Sequence, residues 1–328
     1  MDSNILEAVS LARGEYRKNF LISKLTWMKV GGKCDFFFKP QSVEDLGLFL
    51  KNINDKNNIF VIGAGSNIII RDGGIRGVVI KLGRNFANID VVNDKKTNSA
   101  SENGVHISSQ LSGLKNATFI DVGAGCLNYN LAQFCLQNAI PGFEFLIGIP
   151  GTIGGGIAMN AGAYGKEFAD IVHKVYAMDY YGNMHIFSNE EIGFHYRANM
   201  LLKKLVFIKA KLFVPNLNGC KATILRKMKD IQDKRINTQP IYSKTCGSTF
   251  TNPQNYSFKA WELVDRVGMR GFELGGAQVS TKHSNFLINK NQASASDVES
   301  LILLIQSKVR EQTGIHLHKE IKIIGSDT

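Results

Sequence analysis

Apolar residues along the 328-residue chain fall in short runs broken by glycine, with helical spacing in only a few places. Residues 30–38 (VGGKCDFFF) read as a strand entered through a Gly31-Gly32 turn and stopped by Pro40. Ser42 then precedes Val43, Leu46, Phe49, Leu50 and Ile53 on one helical face, with Asp45 three positions on, as in a capped amphipathic helix. Residues 59–62, 68–70 and 78–80 are apolar strands, with an Asp72-Gly73-Gly74 turn between the last two. The polar stretch 93–116 is expected to be a surface hairpin or loop. A strand at 119–122, a helix at 127–138, a hairpin of 172–179 with 184–187 and a strand at 205–213 follow.

Composition shifts at 215–219. Beyond it the pattern predicts a basic helix to about Arg235, a loop at 239–253 and a helix at 258–267 closed by Gly268. A final helix spans 296–313, with Val298, Leu301, Ile302, Ile305 and Val309 inward, and a strand spans 315–324. The chain thus divides into an N-terminal extension (1–27), a mixed α+β part with many glycine turns (28–216) and a smaller α/β unit (217–328).

One stretch departs from all of these patterns. Residues 148–165 read GIPGTIGGGIAMNAGAYG, with seven glycines in 18 positions. Each glycine costs a helix about 1 kcal/mol, which argues against an ordinary helix. Ile149, Ile153, Ile157, Met159 and Tyr164 argue against a loose linker. The pattern points to backbone packed closely against something large and flat, or something anionic.

Hydrophobic residues make up 44% and charged residues 20%, as in a globular protein. The longest aliphatic run, 301–305, is too short to span a membrane, and the N-terminus lacks a secretory pattern, so a cytoplasmic location is expected. The five cysteines are scattered with no C-x-x-C, which fits reduced structural thiols. A net charge of +11 admits nucleic acid, a membrane surface or an anionic small substrate. Its densest cluster is Arg226, Lys227, Lys229, Lys234 and Arg235, interleaved with Ile224, Leu225, Met228 and Ile231: a solvated helix face, or an electropositive wall beside a phosphate-bearing substrate. Aromatic residues do not alternate with basic ones, against nucleic-acid binding.

Four constellations can carry chemistry. Gly63-Ala64-Gly65-Ser66 and Gly123-Ala124-Gly125 each follow a short strand, and neither is a Rossmann fingerprint or a P-loop. Singly each is a plain turn; with 148–165 they suggest a backbone cradle for a pyrophosphate, aided by the Ser66 hydroxyl. Tyr196-Arg197 offers a donor fork for carboxylate or phosphate, or a surface ion pair. Cys246-Gly247-Ser248-Thr249-Phe250, followed by Asn252-Pro253, holds a serine in a glycine-flanked loop without the G-x-S-x-G of a hydrolase. His316, His318 and Glu320 would share a strand face, as metal ligands or as a polar edge.

In order, the segments VGG with Asp35, IGAGSNIII, AGxxxxxLA (124–132), GIPGTIGG…MNAGAYG, YR, CGSTFxNP, GGAQVSxxHxNFxxN and Glu320 before IKIIG resemble the UDP-N-acetylenolpyruvoylglucosamine reductase family, over about residues 20–325. Leu25-Thr26 replaces the family's Asn-Thr, and Gly156 stands where alanine is common. No insertion separates Gly165 from Tyr196-Arg197, as in the second, shorter type of the family.

The resemblance implies an α+β fold: a two-subdomain FAD-binding domain of the PCMH/vanillyl-alcohol-oxidase type (28–216) and a C-terminal α/β domain that binds UDP-sugar (217–328). It implies that NADPH reduces FAD, that hydride passes from flavin N5 to C3 of UDP-GlcNAc-enolpyruvate, and that protonation at C2 gives UDP-N-acetylmuramate for peptidoglycan. Carried over, the cofactor residues are Gly63, Ala64, Gly65, Ser66, Asn67, Gly123, Ala124, Gly148, Pro150, Gly151, Thr152, Gly154, Gly155, Asn160 and Gly162. Arg197, Ser248 and Glu320 are the catalytic candidates, with Arg197 on the carboxylate, Ser248 as proton donor and Glu320 as a protonated carboxyl. Tyr196, Arg235, Gln239 and Asn252 are the substrate candidates. The resemblance implies no metal, and the expected state is a monomer without nucleic-acid or membrane partners. The alternatives are a sugar or hydroxy-acid oxidase of the same fold, and an anion- or nucleic-acid-binding protein.

Overall fold

Three successive phenylalanines, Phe36, Phe37 and Phe38, are all buried, as in a strand covered on both faces. The structure is a computed structural model that describes residues 2–54, 56–93, 118–201, 204–215 and 217–327. In it, α1 (Asp2–Leu11) leads into β1 (Glu15–Leu21), which pairs antiparallel with β2 (Lys33–Lys39). After α2 (Val43–Asn52) come β3 (Ile59–Val61), β4 (Ile68–Ile70) and β5 (Ile75–Ile80); β5 and β3 complete a sheet of order β1-β2-β5-β3. Phe36 and Phe38 face α1 and α2, while Phe37 joins Ile62, Ile70 and Val79 on the other side. The Ser42 hydroxyl caps α2 by accepting from the Asp45 N–H at 3.2 Å. The segment before residue 28 is built into this sheet, and Ile5, Ala8 and Val9 enter its core.

A second sheet holds β6 (Ile89–Asn93), β7 (Thr118–Gly123), β10 (Val172–Asp179), β11 (Met184–Ser188) and β12 (Leu205–Val214), all antiparallel, in the order β11-β10-β12-β7-β6. Between β7 and β10 lie α3 (Asn128–Gln137), α4 (Ile153–Ala158), β8 (Gly162–Ala163) and β9 (Lys166–Glu167); α5 (Asn189–Ile192) follows β11. The basic helix is α6 (Lys221–Thr238), whose Ile224 and Met228 join the core of this sheet, beyond the composition shift read at 215–219. The loop expected over 93–116 lies, apart from Asn93, outside the described residues.

The glycine-rich stretch contains a helix after all: Gly154, Gly155 and Gly156 sit within the six residues of α4. Packing reverses the propensity argument. A Cβ on Gly156 would lie 2.2 Å from the Phe168 ring, and one on Gly154 would lie 3.0 Å from Ala124 Cβ. The bare backbone lets α4 sit against β7 and the Phe168 turn, burying Ile153, Ile157 and Phe168 completely.

The C-terminal part comprises α7 (Ala260–Arg266), β13 (Glu273–Leu274), β14 (Ala277–Val279), β15 (Leu287–Asn289), α8 (Ala295–Thr313) and β16 (Lys322–Ile324). Its core unites Leu263, Val279, Leu301, Ile302 and Ile305 with Met28, Val30 and Ile69 from the first sheet's neighbourhood. The strand expected over 315–324 shrinks to β16, which pairs in parallel with β4. Ile315 and Leu317 are buried, so the alternation that suggested a strand is real; what 315–321 lacks is a partner strand beyond a single Phe250–Lys319 bridge. All five cysteines are free, and Cys220 alone is exposed. Among the described residues no helix is long and apolar enough to cross a membrane.

Candidate active site

A cavity of about 560 Å³ opens between the two sheets, walled by β3, β12, α4 and β16. Five sequence-predicted cofactor residues line it: Gly63, Ala124, Thr152, Gly154 and Gly155. The loops around it are locked onto one another. A Cβ on Gly63 would meet Thr152 Oγ1 at 2.6 Å, and one on Gly65 would meet the Leu25 carbonyl at 2.4 Å. These two glycines therefore let the loops pack directly onto one another. Gly155 differs: the nearest atom to its missing Cβ is Thr152 Oγ1 at 3.4 Å, and the position faces the cavity. The Ser66 hydroxyl donates to the Pro150 carbonyl (3.3 Å), and Lys81 Nζ donates to the Gly63 carbonyl. Burial, and then the charge of Lys39, hold the Lys81 pKa down.

Other predicted cofactor residues stand back from the wall. Ala64, Gly65, Ser66, Asn67, Pro150 and Gly151 belong to the flanking loops. Gly123 packs on the Phe86 carbonyl, Gly148 on the Tyr164 ring and Gly162 on Glu167. Asn160 is fully buried, and its side chain is engaged inside the protein, with Nδ2 on Glu167 Oε1 (2.9 Å) and the His195 carbonyl (3.1 Å) and Oδ1 accepting from Ala169 N–H (3.0 Å). Sequence reasoning missed much of the wall: Phe60, Tyr180, Phe207, and the cations Lys56, Lys204 and Lys322. Nothing in an apolar strand marks which residues face a cleft between two sheets.

The catalytic candidates are more than fifty residues apart in the chain, yet Arg197 meets Glu320 and Glu320 is bonded to the residue after Ser248. Arg197 Nε lies 2.9 Å from Glu320 Oε1, with both side chains largely shielded. The pair is close but not aligned for a hydrogen bond, which leaves that Nε without a partner. Burial raises the Glu320 pKa, and the Arg197 charge opposes the rise without cancelling it. The Glu320 N–H donates to the Thr249 carbonyl (2.8 Å), tying it to the residue after Ser248. Asn67 Nδ2 donates to the Glu320 carbonyl (3.2 Å), which links this cluster to the first glycine loop.

Ser248 follows Gly247, whose φ of +86° aims the loop. Asn285 fixes the loop by three bonds: its carbonyl accepts from Thr249 N–H (2.7 Å), its Oδ1 from Phe250 N–H (3.0 Å), and its Nδ2 donates to the Phe250 carbonyl (2.9 Å). The sequence showed Asn285 only as a motif letter. Burial pushes the Cys246 thiol up to about 12, so this neighbour of Ser248 is no thiolate nucleophile at neutral pH.

The substrate candidates form separate groups. Tyr196 stacks on Arg197, with 5.3 Å from ring centre to Cζ. Arg235 Nε donates to Gln239 Oε1 (3.2 Å), and the Tyr164 hydroxyl bonds the neighbouring Ile231 carbonyl (3.4 Å). Asn252 Oδ1 accepts from Ala260 N–H (3.0 Å) at the start of α7. His316 and His318 are exposed, and no group of three His, Cys, Asp or Glu able to hold a metal occurs among the described residues.

Two family models match: the FAD binding domain over residues 34–188, and the C-terminal domain of UDP-N-acetylenolpyruvoylglucosamine reductase over 239–324. A UDP-N-acetylenolpyruvoylglucosamine reductase of Orientia tsutsugamushi (strain Boryong) is 51% identical over 312 residues, 95% of each chain. The chain belongs to the UDP-N-acetylenolpyruvoylglucosamine reductase family. The protein of that name from Rickettsia rickettsii (strain Sheila Smith) is 50% identical over 96% of this chain and 97% of its own. The crystal structure of the Thermus caldophilus reductase superposes with a TM-score of 0.73 at 28% identity, covering 95% of this chain and 99% of that one. The two sheets thus form the FAD-binding fold of the family, and the protein is an FAD-dependent oxidoreductase.

Proposed function

We propose that this enzyme reduces UDP-GlcNAc-enolpyruvate to UDP-N-acetylmuramate, with NADPH as reductant, in peptidoglycan precursor synthesis. The observation that carries the reading is the partly buried Arg197–Glu320 pair, linked through Thr249 to Ser248, with Glu320 two residues before Lys322 of the cavity wall. That cavity fits FAD: its walls are mostly apolar, Gly155 presents bare backbone to it, and Lys204 and Lys322 add positive charge for a diphosphate. FAD supplies the hydride chemistry, which no side chain can provide.

The chain's own groups handle charge, protons and water. The Arg197 guanidinium holds the substrate carboxylate and steadies the negative charge that grows there as the double bond is reduced. Burial raises the pKa of Glu320, and in its protonated form this carboxyl donates a hydrogen bond to the same group. Ser248 gives the proton to C2, and its hydroxyl has no hydrogen-bond partner among the described residues that would hold it elsewhere. Arg235, Gln239, Tyr196 and Asn252 receive the UDP-sugar. A monomeric, cytoplasmic enzyme and a division of the chain near residue 239 rather than 216 belong to the same proposal; the packing of α6 on the second sheet supports the division.

The test is NADPH oxidation by the purified, FAD-loaded protein with and without UDP-GlcNAc-enolpyruvate. Oxidation should require the enolpyruvyl sugar. Oxidation that proceeds equally without it, with oxygen consumed, would favour an oxidase instead.

A further inference from the structure

Arg197 sits in the left-handed region at φ +57°. A residue with a Cβ holds that conformation only when its surroundings impose it. Here the surroundings are two asparagines. The turn closes on itself through His195 N–H to the Ala198 carbonyl (3.0 Å) and Ala198 N–H to the His195 carbonyl (3.1 Å). From one side, Asn160 Nδ2 donates to the His195 carbonyl (3.1 Å). From the other, the Asn199 amide donates to the carbonyls of Ile157 (3.2 Å) and Ala158 (3.1 Å), while its Oδ1 accepts from Leu201 N–H (3.1 Å).

The carbonyls of Ile157 and Ala158 are at the end of α4, and the Ile157 carbonyl also accepts from the Asn160 N–H (3.2 Å). The same short helix contributes Gly154, Gly155 and Ala158 to the cavity wall. One element therefore forms the cofactor wall and also carries the turn that presents Arg197.

We propose that Asn199 and Asn160 are positioning residues, clamping the Arg197 turn to the end of α4 so that the guanidinium keeps a fixed place relative to the bound flavin. The clamp acts through Arg197 and touches neither cofactor nor substrate. The inference rests on the enolpyruvyl reductase reading above.

Asn199 is half-buried and is the variant of choice; Asn160 is fully buried with three side-chain bonds, so its loss endangers folding. N199A should keep its flavin content and its rate of flavin reduction by NADPH within about twofold of wild type. It should lose about tenfold to a hundredfold in kcat/KM for UDP-GlcNAc-enolpyruvate, the scale of a small misplacement of a binding group. N199D, which keeps the acceptor and loses the donors, should match N199A. The decisive measurement is the double variant. If the clamp acts through Arg197, R197A/N199A should be no worse than R197A alone in the enolpyruvyl half-reaction. Additive losses, or an equal loss in both half-reactions of N199A, would overturn the proposal. Should wild type itself not oxidise NADPH in a manner dependent on the enolpyruvyl sugar, the reductase reading fails instead, and the two failures are distinct.

Discussion

The cavity wall and the catalytic cluster are built by opposite means. The wall and its flanking loops are made of segments that touch because side chains are missing: Gly63 on Thr152, Gly65 on Leu25 and, in α4, Gly154 on Ala124. The cluster is made of side chains from three distant segments, each tied down by an asparagine amide: Asn67 on Glu320, Asn160 on the Arg197 turn and Asn285 on the Ser248 loop. An amide side chain both donates and accepts, so it can fix backbone that belongs to no sheet or helix. Damage to the wall should therefore appear in folding and flavin binding. Damage to the cluster should appear in one half-reaction.

The sharpest break between the two regions is expected from Ser248→Ala. Flavin reduction by NADPH should persist, while turnover of the enolpyruvyl substrate falls by about 10²–10⁴-fold, the range for loss of a positioned proton donor. Stopped-flow bleaching of the flavin and steady-state turnover separate the two. Equal loss in both would return Ser248 to a structural role. The converse experiment is Gly156→Val. Its side chain would enter space filled by Phe168, destabilising the fold by about 1–3 kcal/mol. Flavin content should fall with thermal stability, and whatever enzyme remains loaded should partition normally between the half-reactions.

These two residues also show what could be read before any fold was known. The glycine loops and CGSTF stood out by residue type, while the roles of Ser248 and Glu320 came from the family resemblance. That Gly156 lies in a helix was not visible, because propensity counts the cost of glycine in isolation and Phe168 supplies the compensating packing. The alternation of Ile315 and Leu317 with His316 and His318 suggested a strand, yet alternation records only which side faces the core and says nothing of a partner strand. The three lysines of the cavity and the clamping asparagines gain their meaning only from residues far away in sequence.

A smaller effect should follow where the C-terminal part is fastened to the FAD-binding part. Arg71, at the end of β4, makes two contacts to Glu299 on α8 (2.8 and 2.9 Å), and the Asp72 carboxylate accepts from the Ala295 and Ser296 N–H groups (2.9 Å each). Arg71→Glu and Glu299→Arg should each lower the melting temperature and raise KM for the enolpyruvyl substrate, with flavin binding retained. The double reversal should recover part of both losses. No recovery would mean that the pair does not fasten the two parts.

The smallest expected effect separates the two regions by pH. Glu320 has its carboxyl pKa raised above the ordinary 4.5, chiefly by burial. The folded state thus holds this proton more tightly than the unfolded chain. The stabilising contribution is complete below about pH 4.5 and is lost as pH rises through the folded-state value. In Glu320→Gln that loss is absent, so the stability of the variant relative to wild type should climb with pH across this window and then level off. Lys81 on the cavity side has the opposite sign. Its pKa lies below the ordinary 10.5 because of burial, so wild type should gain stability relative to Lys81→Met as pH rises through the folded-state value toward 10.5. Chemical denaturation of the three proteins at a series of pH values checks both slopes. A flat difference for Glu320→Gln would show that Arg197 balances burial fully and that Glu320 is an ordinary ion-paired carboxylate, which would remove the neutral hydrogen-bond donor from the mechanism.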